Sequence, residues 1–255
     1  MKSSASSSRT GCSAAERAAL AAAALALAAC AVGCGGAEPA AKEATDAPQE
    51  AEAQPKKKSG FGVQQELGEL DEKKTTATFD EVSGKLQKCF ADGVGRLPYL
   101  SGEVRLVVRI AESGSARWAF AKDSTLGDRA TEDCMLSVLK SASWPKPVGG
   151  EGVAEKGLSF DPGGDERPPV AWTPDRLGPA LAKAKDAIAG CRRDAGTGPL
   201  GVTLYVNTDG KAEGVGVSGT DEKSEKAAPC VVSALRAMTF PSPGSWAAKV
   251  TLPPE

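Results

Sequence analysis

The sequence WPKP at residues 144–147 begins ten residues after Cys134, and FPSP at residues 240–243 begins ten residues after Cys230. In each stretch an aromatic residue precedes a Pro-x-Pro pair. Proline cannot continue a helix, and it forces the residue before it into an extended conformation. Each stretch therefore predicts the end of a helix, and we expect Trp144 and Phe240 to enter the core before the last strand.

The matched spacing extends further along the chain and indicates an internal repeat. Twenty residues separate Gly114 from Cys134, and twenty separate Gly210 from Cys230. The glycines lie in ESG and TDG sequences that favour tight hairpin turns. Two segments, residues 79–160 and residues 177–252, share this order of features. Because the same residue types recur at the same distances, the chain contains a duplicated unit.

Each unit is predicted to have the order helix, strand, strand, helix, strand. Residues 100–110 and 200–208 alternate apolar and other side chains, which is typical of a strand with one buried face. The second strands are predicted at 115–122 and 211–218, and the second helices at 128–142 and 222–237. The fold class is therefore α+β, with two tandem units that each contain a small three-stranded antiparallel sheet.

One motif in the first copy carries a family resemblance. Residues 124–128 read STLGD, after a helix with a cysteine, a strand and a Gly hairpin, and before a helical cysteine and the aromatic-Pro-x-Pro stretch. This order resembles the AgmX/PglI-type gliding-motility C-terminal domain, which is similar in fold to the TonB C-terminal domain. The second copy reads TDE at 220–222 and lacks the motif. The resemblance implies a non-enzymatic module of the bacterial envelope.

The composition argues against catalysis and against nucleic-acid binding. The 255 residues carry a net charge of −2 and include no histidine, the commonest general base and zinc ligand. Residues 214–219 match G-x-G-x-x-G but fall on a predicted hairpin strand, where a dinucleotide site does not form. Residues 207–213 start like a calcium loop and lack its spaced carboxylates. We predict no enzyme activity, cofactor, metal or small-molecule substrate.

The N-terminus predicts a lipoprotein signal. A basic start is followed by an apolar run at residues 18–29, which ends in LAAC at Cys30. The LAAC sequence resembles a bacterial lipobox, so we predict cleavage after residue 29 and lipid on Cys30; Cys34 is the alternative. Residues 30–76 are predicted to be a disordered tether. Ala31 resembles the sorting signal of outer-membrane lipoproteins, so we expect an anchor on the periplasmic side of the outer membrane.

The two domains are predicted at residues 77–161 and 176–255, and a linker at residues 162–175 joins them. These domains contain four cysteines. An oxidising envelope and small cores favour disulfides, and pairing within each copy gives Cys89–Cys134 and Cys191–Cys230. Buried free thiols are the alternative. A redox site is not expected because the chain has no Cys-x-x-Cys motif, and the cysteine spacing does not suit zinc.

The two copies differ on one face of the predicted sheet. Alignment from the turn glycines places Trp118 on Gly214 and Phe120 on Gly216. The preceding strand places Arg105 and Arg109 on the same face, so these four side chains could form a partner surface. The alternative is that the first helix or the other domain covers this face.

These features predict a non-catalytic, lipid-anchored binding or scaffolding protein of the envelope, in a motility or envelope-spanning complex. Its partner would be an envelope protein that the sequence does not identify. The alternative function is a TonB-like energy transducer for outer-membrane receptors. A transducer requires a retained inner-membrane helix, whereas a lipobox is cleaved, so the fate of the N-terminus separates the two.

Overall fold

The first copy folds as an α+β unit with one antiparallel sheet. The computed structural model describes residues 67–161, 163–164 and 166–254. The sheet has the order β2-β1-β3, and two helices pack on one of its faces. The elements of this copy are α1 (Glu72–Val94), β1 (Gly102–Ile110), β2 (Ala116–Ser124), α2 (Arg129–Lys140) and β3 (Gly152–Phe160).

The second copy repeats this order and adds a strand. Its sheet has the order β4-β7-β5-β6, in which β4 runs parallel to β7 and the other pairs are antiparallel. A short 3-10 helix, Pro174–Leu177, connects β4 to the next helix. The elements are β4 (Val170–Trp172), α3 (Ala180–Ala195), β5 (Leu200–Val206), β6 (Ala212–Gly219), α4 (Ser224–Arg236) and β7 (Ala248–Leu252).

The α+β class is confirmed, whereas the prediction of three strands in the second copy is wrong. Strand β4 lies inside the stretch predicted to be a linker. The Val170 amide donates a hydrogen bond to the Ala247 carbonyl over 2.9 Å, and Trp172 packs against the second copy's core. A strand of three residues is too short to show an alternating pattern, and the stretch around it is rich in proline.

The first copy also starts earlier than predicted, because α1 begins inside the predicted tether. Asp71 caps the helix by accepting a hydrogen bond from the Lys74 amide. Upstream of it, the Gly68 amide donates to the Glu151 carbonyl over 2.9 Å. Gly68 and Val170 each precede the first cysteine of their copy by 21 residues. The duplication therefore includes this backbone contact, although the surrounding sequences do not resemble each other.

The aromatic-Pro-x-Pro stretches are held against the hairpin turns. The Trp144 amide donates to the Gly114 carbonyl over 3.0 Å, and the Phe240 amide donates to the Gly210 carbonyl over 2.8 Å. Both turn glycines have positive φ, and a Cβ on either would meet the carbonyl oxygen of the aromatic residue. Both aromatic side chains are buried, as predicted. This contact explains why the spacing between turn, helix and aromatic is kept in both copies.

Each copy has its own core and its own disulfide. Cys89 is bonded to Cys134 between α1 and α2, and Cys191 is bonded to Cys230 between α3 and α4. The Cα atoms are 5.7 Å apart in both bonds. The pairing within each copy is the predicted one. The bonds fasten the two helices of each copy over the buried face of its sheet.

Candidate interaction surfaces

The first sheet has an outer face that points away from its two helices. The side chains that alternate with the core residues of β1 and β2 lie on it, and Val107 pairs with Phe120 while Arg109 pairs with Trp118. Strand β3 contributes Val153 and Glu155, which lie opposite Arg109 and Val107. Arg105 lies two residues before Val107 on β1, so its side chain is on the same face. The outer face therefore brings together all four residues predicted to form a partner surface.

Burial differs between the two aromatic residues of the outer face. Phe120 is only 4% exposed, whereas Trp118 is half-buried, with the ring centroids 5.5 Å apart. Val153 is 39% exposed on β3, which lies on the other side of β1 from these aromatic residues. The first helix packs on the opposite face of the sheet, with its core residues against Val108 and Ile110. A protein bound here would thus contact Trp118 and Val153 directly, while Phe120 stays buried beside the Trp118 ring.

The arginines of the outer face are paired with carboxylates. The Arg109 Nε atom lies 2.8 Å from Glu151, which also accepts a hydrogen bond from Arg117. These two guanidinium groups hold the pKa of Glu151 below its usual range. Arg105 lies 2.9 Å from Glu155. Each of these three arginines is thus paired with a carboxylate, and Arg109 lies between Trp118 and Val153 on the face.

The equivalent face of the second sheet is a protein contact inside this molecule. The loop that carries the STLGD motif packs on β6, where Gly214 and Gly216 replace the two aromatics of the first copy. A Cβ on Gly216 would lie 2.7 Å from the Gly127 Cα atom, and one on Gly214 would lie 2.7 Å from the Gly127 carbonyl oxygen. Gly127 itself has φ +77°, so all three glycines are required for this approach. We call this contact the docking interface.

A buried carboxylate holds the docking interface together. Glu132 of α2 is fully buried and accepts a hydrogen bond from the Val217 amide of β6 over 3.0 Å. It also accepts one from the Ser124 hydroxyl over 2.7 Å, and the Arg129 guanidinium lies 3.9 Å away. Arg129 in turn pairs with Glu225 of α4. The first copy thus supplies the hydrogen-bond acceptor that an edge strand of the second copy needs.

A second cluster in the docking interface is centred on Tyr205 of β5. Its buried hydroxyl donates to the Ser101 carbonyl over 2.9 Å and accepts from the Ser101 amide over 3.1 Å. Lys249 donates to the same carbonyl over 2.6 Å, and burial lowers the pKa of Lys249 to about 8. Tyr99 donates a hydrogen bond to Glu213. Because Tyr205 is part of the first copy's core, the two copies share buried surface.

The sequence contained a signal for the docking interface that the prediction did not use. The G-x-G-x-x-G match at residues 214–219 is correctly assigned to a hairpin strand. Its glycines make room for a protein loop and not for a nucleotide. The STLGD motif, present only in the first copy, is the element that occupies this room. The motif kept in the first copy and the side chains lost from β6 of the second copy are complementary features.

Other predicted features are not represented in the structure. Cys30 and Cys34 lie outside the described residues. Among the helices that are described, none is long and apolar enough to cross a membrane. Residues 67–161, 163–164 and 166–254 contain no cluster of three cysteine or carboxylate side chains that could hold a metal.

No protein-family model, curated protein or solved structure matches the chain.

Glu132 should make the stability of the protein depend on pH. Burial raises the pKa of Glu132 from 4.5 to about 7. The folded state then binds this proton more tightly than the unfolded chain, so the contribution is present at acidic pH and is lost as pH rises from 4.5 to about 7. We expect denaturant titrations to show the free energy of unfolding falling across this range by up to about 1.4 kcal/mol per pH unit.

The control for this prediction is Glu132→Gln, which keeps the shape of the side chain and removes its titration. The amide oxygen can still accept the hydrogen bond from Val217, so the variant should fold. The difference between wild type and variant should shrink as the pH is lowered from 8 to 5. An identical pH dependence in both proteins would contradict the assignment of the titration to Glu132.

Proposed function

We propose that the chain is a non-catalytic, lipid-anchored binding or scaffolding protein of the bacterial envelope. In this proposal the two copies are TonB-like modules of the AgmX/PglI type, and a tether connects them to an acylated cysteine near the N-terminus. The outer face of the first copy binds an envelope protein. The two docked copies present that face as part of one compact unit.

The observation that carries the proposal is the docking interface. The outer face of the second sheet binds a loop and a helix of the first copy, so this face of the module is suited to protein contacts. The first copy has the same face, with Trp118 and Val153 in place of Gly214 and Lys249. Phe120 stands where the STLGD loop would need a glycine, so this face does not suit a second loop of that kind. A different protein partner is therefore expected.

Capture of the partner should depend on Trp118. After crosslinking in intact cells, the wild-type chain should recover a defined envelope protein, and Trp118→Ala should recover much less of it. Loss of an interface tryptophan typically costs 2 kcal/mol or more, roughly thirtyfold in affinity. Phe120 is unsuitable for this test because truncating a buried phenylalanine costs about 3–5 kcal/mol of stability. A recovery unchanged by Trp118→Ala would contradict the assignment of the outer face.

Two valines of equal exposure provide a matched control for this capture. Val153 on the outer face and Val170 on β4 are both 39% exposed. Val153→Ala should weaken capture of the same protein, whereas Val170→Ala should leave it unchanged. If both variants weaken capture equally, the effect comes from general destabilisation and not from the outer face.

The N-terminal part of the proposal has a separate test. The intact mass of the membrane-bound protein should correspond to a chain that begins at Cys30 and carries lipid, and Cys30→Ser should abolish the modification. A chain that begins at Cys34 would transfer the anchor to that residue. An uncleaved N-terminus held in the inner membrane would contradict the lipoprotein proposal and favour a TonB-like energy transducer.

A further inference from the structure

The outer face of the first sheet carries a groove at the end that lies away from the hairpin turn between β1 and β2. The groove has a volume of about 310 Å³ and is formed by the start of β1 and the ends of β2 and β3. Asp123 and Gly157 lie on either side of Arg105 across the sheet, and Ser159 lies beside Glu103. We call this feature the glycine groove.

Gly157 is a glycine that the fold of the first copy does not require. Its φ lies outside the positive range that favours glycine, and a Cβ added to it would meet no atom within 4 Å. Gly152 on the same strand differs, because a Cβ there would lie 2.6 Å from the Leu70 side chain. Glycine inside a strand weakens the strand, and it often marks a place where another backbone approaches closely. The space over Gly157 is therefore available to a backbone from outside the first copy.

The second copy shows what lies on the strand glycines of this face. A Cβ on Gly214 or on Gly216 would lie 2.7 Å from a backbone atom of Gly127, so a protein loop occupies the space over both glycines. The glycine groove is continuous with this docking interface, because Ser124 and Thr125 line the groove and begin the same loop. A backbone on Gly157 would thus repeat, on the first sheet, the contact that the second sheet makes within the molecule.

The charged side chains of the glycine groove favour a basic ligand. Two exposed carboxylates, Glu103 and Asp123, line it together with Arg105. Arg105 lies 3.4 Å from Asp123 and 2.9 Å from Glu155. Lys122 also pairs with Glu155, over 3.2 Å. Three carboxylates thus face two cations, and a lysine or arginine of a partner would supply the complementary charge.

We propose that the glycine groove binds an extended basic segment of the partner, whose backbone lies on Gly157 and whose lysine or arginine side chain lies beside Glu103 and Asp123. The proposal rests on the function proposed above and names the chemistry of the segment that the outer face binds. The groove lies four residues along β1 from the position opposite Trp118, a distance of about 13 Å. One extended segment of about five residues can therefore place an apolar side chain beside Trp118 and a basic one in the groove.

The test uses two peptides with blocked ends, Leu-Ser-Ser-Gly-Lys and its reverse Lys-Gly-Ser-Ser-Leu, because the groove does not fix the direction of the segment. Added to the isotope-labelled protein at about 1 mM, at least one of them should shift the amide resonances of Arg105, Gly157 and Ser159. Gly157→Phe should abolish the shifts at Arg105 and Ser159, because the ring fills the groove. Asp123→Asn should weaken binding about threefold, as expected for one exposed charge pair.

Asp92→Asn is the matched control for Asp123→Asn. Asp92 is also an exposed aspartate in an ion pair, with Lys88, and it lies on α1, which packs on the opposite face of the sheet. Its substitution should leave the affinity unchanged. The absence of shifts with both peptides, or undiminished shifts in Gly157→Phe, would overturn the proposal. Equal binding of peptides that carry glutamate in place of lysine would overturn the role of the two carboxylates.

Capture in intact cells separates this proposal from the one on which it rests. Gly157→Phe should lower the recovery of the envelope protein that the wild-type chain captures, as Trp118→Ala should. Recovery that is lost in Trp118→Ala and kept in Gly157→Phe would confine the partner to the Trp118 end of the outer face and would overturn the groove alone. Peptide shifts at the groove, together with capture that neither substitution affects, would keep the groove as a peptide site and contradict the outer face as the place of capture.

Discussion

Gly216→Phe is expected to separate the two copies and to lower the unfolding midpoint by roughly 6–12 °C, which corresponds to about 3 kcal/mol in a domain of this size. The variant gives β6 the residue that the first copy has at the same position, Phe120. A Cβ at this site would already lie 2.7 Å from the Gly127 Cα atom and 2.8 Å from its nitrogen. Because these are backbone atoms, the STLGD loop must leave the strand to make room.

Hydrogen exchange distinguishes separation of the copies from unfolding of the second copy. The Val217 amide donates to Glu132 across the docking interface, so it should lose protection in Gly216→Phe. The Leu204 amide lies in the central strand of the second sheet, and it should stay protected if the copy remains folded. Simultaneous loss at both amides would mean that the second copy does not fold without the first.

Gly157→Phe is the matched control for this substitution. Gly157 is an exposed strand glycine of the first copy, and an added Cβ there would meet no atom within 4 Å. An exposed substitution of this kind should change the midpoint by no more than about 2 °C. If Gly216→Phe behaves like Gly157→Phe, the close approach of the loop to β6 is not required for stability.

Removal of either disulfide should destabilise the protein by about 4 kcal/mol, or roughly 8–16 °C in the unfolding midpoint. The bonds close sequence separations of 45 and 39 residues, so the loop-entropy contributions are nearly equal. The double variants are Cys89→Ala with Cys134→Ala, and Cys191→Ala with Cys230→Ala. Thermal unfolding followed by circular dichroism measures both.

Reduction of the wild-type chain controls for the cavities that alanine creates. A reductant should lower the wild-type midpoint by an amount close to the sum of the two variants. It should lower the midpoint of each double variant by only the contribution of the remaining bond. Equal midpoints for the oxidised and reduced wild type would show that the helices are held by packing alone, and would contradict the predicted role of the disulfides.

The alignment of the two copies predicted some contacts of the outer face correctly and left their burial open. Placing Trp118 on Gly214 and Phe120 on Gly216 agrees with the strand register. Trp118 lies opposite Arg109, and Gly214 lies opposite Tyr205, the equivalent residue of the second copy. In the same way, Phe120 lies opposite Val107, and Gly216 lies opposite Thr203. The alignment could not show that Phe120 is buried and Trp118 half-buried. That difference depends on how neighbouring side chains pack over the strand, and spacing along the chain carries no information about it.

The sequence by itself determined the duplicated unit, its turns and its disulfide pairing. Each of these depends on a property of residues close in the chain or on a covalent constraint. Pro145 and Pro241 follow the last helical residues, Lys140 and Arg236, by five positions and favour extended backbone at the aromatic residue before them. Gly114 and Gly210 form the turns because they adopt positive φ. These constraints act in any tertiary context, so equal spacing in two copies was sufficient to predict them.

Only the tertiary structure decided how the copies use their outer faces. Gly214 and Gly216 are ordinary strand glycines until the Gly127 loop lies on them, and β4 exists because β7 is beside it. Each of these features requires two segments far apart in the chain to meet. The free energy of such contacts comes from packing and from shared hydrogen bonds, which local sequence patterns do not encode.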